Sequence, residues 1–322
     1  MPAKRDQRLL IDAARMYYVE GLDQGQVGRR LGLSRSGVSR ILATARELGV
    51  VQVRIIGDEH VSRNKDLETA LVREFGLREV LVAETQSEGM SLRAVGQLAS
   101  QVFTRRSATA KRIGLSWGFT VGQLVEAIPQ MTLRPTMKLT PLVGGMPLLD
   151  TGPSGNSYIQ TLAEKCGLSA ERFDAPAIVE SAATFHAMMS ESTVKGALER
   201  ARACDLAFVG IGSFGIQTSK QTVDAMRLTK DEWADVLRAE PVGDLAGRLF
   251  DIDGEPLGPP ASERVIGTDI DEIRGMQIAV GLAAGKEKAP GVLGALRTGA
   301  FDILVVDEAL AAGVISMAVA RG

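Results

Sequence analysis

Several short stretches of this 322-residue chain combine residue types suited to holding an anion or a polyol. Gly114-Leu115-Ser116-Trp117-Gly118 closes an apolar run and precedes the helical pattern FTVGQLVEAI. Backbone N–H groups at such a strand-to-helix turn, together with the positive end of the following helix, suit a phosphate, which makes Ser116, Trp117 and Gly118 binding candidates. The plainer reading is a tight turn. GDLAGRLFD supplies Asp244, Arg248 and Asp251: carboxylates that accept from sugar hydroxyls beside a guanidinium fork for phosphate or carboxylate. Asp244 serves equally well as a structural cap. Gly144 and Gly145 end another apolar run, and Asn156 either caps the helix SYIQTLAEKCGL or touches a ligand hydroxyl. In Gly210-Ile211-Gly212-Ser213 the small residues, Gly212 and Ser213 among them, let a ligand approach the backbone closely.

A second cluster lies near the N-terminus. From Gln24 to Leu42 the chain carries a helix-turn-helix pattern: a small residue at Gly28, a turn glycine at Gly32, and Leu31, Leu33, Val38, Ile41 and Leu42 as shared core. Ser34 suits the N-cap of the second helix. That helix presents Arg35, Ser36, Ser39 and Arg40 outward, and arginines beside short hydroxyls fit base edges and phosphates in a major groove. Gly28 stands where alanine is usual and Gly37 lies inside the second helix, each costing about 1 kcal/mol of helix propensity. An ordinary helical hairpin with a solvated basic face is the competing reading, and charge argues against it. Residues 1–56 hold ten Lys/Arg against five Asp/Glu, a net +5, whereas the remaining 27 basic and 34 acidic residues give −7.

These groups must be positioned by two kinds of element. Helical spacing over residues 6–20, 24–33 and 34–48 predicts a three-helix head, and VVQVRII (50–56) alternates as a short strand that would make it winged. The polar run SRNKD (62–66) reads as linker, which places a helix-turn-helix domain at 1–57 and a second domain at 58–322. Beyond it, EVLVAE (79–84), RIGLSWG (112–118), MKLTPLVGG (137–145), CDLAFVGIG (204–212), RVIGTDI (264–270) and FDILVVDE (301–308) alternate with helical patterns. The fold class is therefore α/β: an all-α head plus a doubly wound parallel sheet whose carboxyl-end loops converge on one cleft.

Composition narrows the function classes. With 45% apolar and 24% charged residues the chain packs a real core. No stretch reads as an export signal or bilayer span, and Cys166 and Cys204 form no CxxC or Cys/His cluster, so a reducing cytoplasm is expected, with no metal or cofactor. His60 and His186 stand apart from other metal-type ligands, and Met188 and Met189 read as core or interface filler.

The head sequence AARMYYVEGLDQGQVGRRLGLSRSGVSRILATARELGVVQVRI resembles that of SorC/DeoR-type sugar-responsive regulators. GLSWG, PLVGG, VGIGS, GDLAGRLFDIDG, AAGKEKA and DILVVDEAL follow in that family's order, so the resemblance spans nearly the whole chain. It implies a transcriptional regulator, expected to repress carbohydrate genes, that reads double-stranded operator DNA through Ser34, Arg35, Ser36, Ser39 and Arg40. It implies a body of the sugar-phosphate isomerase/deaminase type that binds a phosphorylated sugar, tetrameric or dimeric assembly, and no membrane partner. Lys288 matches the family's lysine in GKEKA and becomes the phosphate partner, whereas Lys286 sits where glycine is more usual. Asp307-Glu308 either face the same cleft or cap the last helix. No catalytic residue is expected. The competing readings are an isomerase or deaminase-like enzyme using Asp244, Asp251 and Lys288 as proton carriers, and a scaffold that has lost its ligand.

Overall fold

The computed structural model describes residues 4–47, 50–51, 61–85, 87–146 and 155–321. The chain divides into two compact units, residues 1–60 and 61–322. The strand expected over 50–56, the winged character resting on it, the 57/58 boundary and His60 fall largely or wholly outside the described residues.

In the head, α1 (Lys4–Ala14) runs into a π-turn (Arg15–Val19), followed by α2 (Gln24–Leu31) and α3 (Arg35–Glu47). Asp23 and Gln26 cap α2 reciprocally, and Gly32 ends it in the left-handed conformation at φ 67°. Ser34 Oγ accepts from Gly37 N at 3.1 Å, so the expected cap on α3 forms. Ala13, Ala14, Val27, Val38 and Leu42 are buried together, with Leu31, Leu33 and Ile41 packed against them. The structure also explains why position 28 lacks a side chain. A Cβ there would stand 2.6 Å from the Leu33 carbonyl oxygen, an atom fixed by the turn itself. Gly28→Val is therefore expected to destabilise the head by ~2 kcal/mol or more through overpacking. Hydrogen exchange should show lost protection in α2 and α3 with the body's protection unchanged; equal protection would refute the steric account.

The body opens with α4 (Lys65–Phe75), β1 (Glu79–Ala83), α5 (Glu88–Ser107), β2 (Arg112–Leu115), α6 (Phe119–Ala127), β3 (Lys138–Pro141) and α7 (Gly155–Cys166). It continues through α8 (Ala182–Ser190), α9 (Ser192–Arg202), β4 (Leu206–Ser213), α10 (Gln217–Ala225), α11 (Lys230–Arg238) and the hairpin β5 (Gly243–Leu245) and β6 (Arg248–Phe250). The last elements are α12 (Ile270–Arg274), β7 (Ile278–Leu282), α13 (Ala289–Arg297), β8 (Ile303–Asp307) and α14 (Glu308–Arg321).

Six strands pair in parallel in the order β1-β8-β7-β4-β2-β3, and β5 adds antiparallel to the end of β4. Their near-continuous apolar runs follow from burial on both faces. Ala207 and Val209 of β4 belong to one buried cluster with residues of α4, α13 and α14, and Leu206 and Phe208 to another with residues of α5, α6 and α7. The sheet is thus doubly wound. The chain leaves β2 toward β3 and leaves β4 toward β7, so the direction of winding reverses between the adjacent strands β2 and β4. Open α/β sheets form their ligand crevice at such a reversal.

Three sequence expectations change. RVIGTDI is no strand of this sheet: Val265 and Gly267 make isolated antiparallel bridges to Ile178 and Val143. One of the two central strands is instead β7, in a segment not expected to be a strand. The polar run 62–66 is also no loose linker within the body, because Arg63 bridges Ala83 and α4 begins at Lys65.

Candidate functional site

At the reversal between β2 and β4 lies an open cleft. Trp117, Gly118, Phe119 and Thr120 line it from the β2–α6 turn, Gly210 to Ser213 from the end of β4, and Ile216 to Ser219 from the start of α10. Asp244 and Lys288 complete it. Of the expected effector residues, the structure gathers Trp117, Gly118, Gly212, Ser213, Asp244 and Lys288 here.

Local sequence explains this convergence. Ala246 and Gly247 both take positive φ, 50° and 87°, as a two-residue hairpin turn of the I′ kind requires. The hairpin sets Asp244 opposite Gly212, where a Cβ would lie 2.0 Å from Asp244 Oδ1, so the glycine makes room for the carboxylate. Asp244 Oδ2 accepts from Gly247 N at 3.0 Å. Its Oδ1, although buried, has no hydrogen-bond partner, and neither does the buried Ser219 hydroxyl. The two groups nevertheless stand close enough for Ser219 to hold the Asp244 carboxyl down.

The other side of the cleft is electropositive. Gly118 caps α6 and Ile216 caps α10 without side-chain hydrogen bonds, which leaves first-turn N–H groups available to an anion. Tyr158 of α7 donates to the Gly118 carbonyl at 3.1 Å and fixes the α6 turn; burial pushes its hydroxyl up to about 12, so it stays a donor at neutral pH. Lys288, 7% exposed, is the N-cap residue of α13. Burial pushes Lys288 below the ordinary lysine range, while Glu287, Asp244 and Asp307 oppose the shift. Burial likewise pushes Asp244 above the usual carboxylate range, against the pull of Ser219, Gly247 N and Lys288. A ligand anion beside Lys288 would favour its charged form.

The remaining candidates have structural work elsewhere. Ser116 is fully buried one residue behind the lining, where its Oγ accepts from Gly210 N at 3.0 Å and joins β2 to β4. Gly144 packs so closely that a Cβ would sit 2.5 Å from the Ala175 carbonyl oxygen, and Gly145 N donates to that oxygen. Asn156 Oδ1 accepts from Phe173 N and its Nδ2 donates to Phe173 O, which satisfies both ends. Arg248 faces a separate cavity and donates to the carbonyls of Ser262, Val265 and Gly267. Asp251 Oδ1 accepts from Asp253 N and Glu255 N within a turn. His186, on exposed α8, pairs with Glu263 at 3.3 Å.

Asp307 is 1% exposed and, as one of the two sequence readings had it, caps the last helix: Oδ1 accepts from Leu310 N at 3.2 Å and Oδ2 from Gly285 N at 2.6 Å. Residues the sequence reading passed over include Phe119, Thr120 and the Gln217-Thr218-Ser219 turn. The available signal was a polar QTS shortly after a glycine-rich strand end and at the start of a helical pattern.

On the head, Ser34, Arg35, Ser36, Ser39 and Arg40 are all exposed, whereas Val38 and Leu42 of the same helix are buried. Ser34 is engaged as cap and with Ser36 Oγ at 3.1 Å. The two arginines and Ser39 thus form the outward face of α3.

Among the described residues, no group of three or more His, Cys, Asp or Glu is placed to hold a metal, and no helix is long and apolar enough to cross a membrane.

A small-molecule cleft in an α/β body, carried behind a helix-turn-helix, is the architecture of a ligand-responsive transcriptional regulator. The family model described as "Putative sugar-binding domain" matches residues 59–316. The sorbitol operon regulator of Klebsiella pneumoniae is 31% identical over 314 residues, covering 94% of this chain and 96% of that protein. The transcriptional regulator LsrR of Enterobacter sp. (strain 638) is 29% identical over 318 residues, covering 98% and 95%. The crystal structure of full-length SorC from Klebsiella pneumoniae aligns at a TM-score of 0.71 and 29% identity, covering 97% of this chain and all of that one. The chain belongs to the SorC family of sugar-responsive transcriptional regulators and carries that family's sugar-binding domain.

Proposed function

We propose that the chain is a cytoplasmic repressor of carbohydrate-metabolism genes whose effector is a phosphorylated sugar or polyol, held in the cleft between β2 and β4. One observation carries this reading. A single cleft combines an electropositive side, made by Lys288 and the uncapped starts of α6 and α10, with the buried Asp244 carboxyl beside the Ser219 hydroxyl. The first suits a phosphate and the second accepts from a hydroxyl, so the matching ligand carries both groups. The exposed arginines of α3 engage operator DNA. The chain acts as a homo-oligomer, a dimer or tetramer, because paired operator half-sites demand paired heads. It senses the sugar phosphate and does not turn it over.

A thermal-shift screen tests this, using sugar and polyol phosphates, the free sugars and inorganic phosphate, with turnover followed in parallel. At ~100 times its Kd a cognate ligand adds ~2.7 kcal/mol, which for a body of this size raises Tm by roughly 5–10 °C. The expectation is a shift with a phosphorylated member only, and no reaction. Absence of any shift, a shift given equally by free sugars, or steady turnover would overturn the proposal.

A further inference from the structure

We propose that Asn64 and Glu308 form a relay between the cleft and the chain that leads to the head, with Asn64 as a positioning residue for the effector response; this rests on the cleft being the effector site. Every link lies within the body. The short turn carrying Lys288 follows β7 and is tied at Gly285 N to Asp307 Oδ2, 2.6 Å away. The other oxygen of Asp307 receives Leu310 N in the first turn of α14. One buried carboxylate therefore joins the wall of the cleft to the start of α14, in the field of the Lys288 ammonium. The next residue, Glu308, accepts from Asn64 Nδ2 at 2.8 Å.

Asn64 is fixed on three sides. Its Oδ1 accepts from Leu67 N at 3.0 Å and caps α4, its backbone N donates to Val82 O at 3.0 Å, and its Nδ2 reaches Glu308. On either side of it, Glu84 N donates to Ser62 O, and Arg63 makes a fork to the buried Glu68 carboxylate at 2.6 and 2.9 Å. Residues 62–64 are consequently a rigid entry to the body, and the chain running back from them connects covalently to the head. Among the described residues, the Asn64–Glu308 contact is the side-chain hydrogen bond that joins this entry to α14.

An anion that draws on Lys288 in the cleft pulls on the short turn that Gly285 N ties to Asp307 Oδ2. Asp307 then holds Gly285 and α14 in a different balance, Glu308 moves with the first turn of α14, and Asn64 transmits the shift to the entry. Small displacements of this kind act when they select between two packed arrangements.

The test uses the full chain and DNA selected by it from a random duplex library. Asn64→Asp keeps the cap on α4 but replaces the donor facing Glu308 with an acceptor. N64D/E308Q exchanges amide and carboxylate and restores the hydrogen bond. For the best-stabilising member of the sugar-phosphate panel, effector Kd is measured by calorimetry and DNA Kd with and without effector. Wild type is expected to change its DNA affinity about 5- to 150-fold on effector saturation. N64D should bind effector within about twofold of wild type yet lose most of that change, and N64D/E308Q should recover it. A full response in N64D, failure of the double variant to recover it, or loss of effector binding in N64D overturns the relay while leaving the effector site standing. If no panel member binds the wild type, the effector-site reading fails first and the relay falls with it.

Discussion

Replacing Lys288 with alanine is expected to weaken effector binding about 100-fold, while DNA affinity measured without effector changes by less than about threefold. Lys288 is the one cationic side chain lining the described cleft, and it is almost wholly buried. A charge-assisted contact at such a site contributes roughly 1.5–3 kcal/mol, or about 10- to 150-fold in Kd, and removing it also leaves the ligand's charge poorly compensated. Loss of the lysine stem leaves a void as well, so Lys288→Met is the necessary companion: it keeps the length, lacks the charge, and should be nearly as defective. Calorimetry with the best sugar phosphate decides the matter. If Lys288→Met binds normally, the lysine contributes packing only, and the phosphate sits at the helix starts without it.

The free protein should tolerate this change better than the complex. Burial already disfavours the charged form of Lys288, and the same burial raises Asp244. In the empty cleft the two groups therefore offset each other's desolvation only in part, and a ligand carrying both an anion and a hydroxyl satisfies them together.

Much of the architecture was legible in the sequence, for reasons visible at particular residues. EVLVAE and FDILVVDE carry apolar runs rich in β-branched residues because both faces of the parallel sheet are covered, and burial is what their composition reports. RVIGTDI has a similar character, yet only isolated bridges engage it, while the five-residue β7 takes a central place beside β4. Strand pairing is non-local, so two short apolar runs of equal character cannot be ranked from their own residues. In the head, turn glycine, cap and core spacing are all local, and Gly32, Ser34 and the core residues take the places that spacing assigns them.

The cleft was legible in part. Glycine-ended strands pointed to Gly118 and Gly212, but Arg248 was read alongside Asp244 without regard to hairpin register. Because Asp244 pairs with Leu249 and Leu245 with Arg248, the two charged residues alternate to opposite faces of the hairpin. A turn at Ala246-Gly247 dictates that separation. Asp251 lies outside the cleft lining for a similarly local reason: in DIDGEP its Oδ1 accepts from the N–H groups of its own turn, the ordinary behaviour of a turn aspartate. Lys288 came from family resemblance alone, since nothing in GKEKA by itself distinguishes a cleft lysine from a solvated one.

The complementary expectation concerns the head. Arg40→Ala should reduce operator affinity about tenfold or more and leave effector Kd within about twofold of wild type. Arg40 is exposed on α3, on the face opposite the buried Val38 and Leu42, and it belongs to the segment that carries the chain's +5 surplus. An arginine that neutralises a phosphate adds about 0.9 to the slope of log affinity against log salt, whereas one that bonds bidentately to guanine contributes roughly 1–3 kcal/mol of sequence discrimination. The salt titration separates the two roles. If Arg40 contacts a phosphate, the variant loses affinity for every duplex and its slope falls by about one per head engaged. If it reads a base, the slope holds and the loss is confined to operator DNA. Affinity equal to wild type on both operator and random duplex would remove α3 from the interface, because no other described helix of the head combines exposed arginines with short hydroxyls along one side.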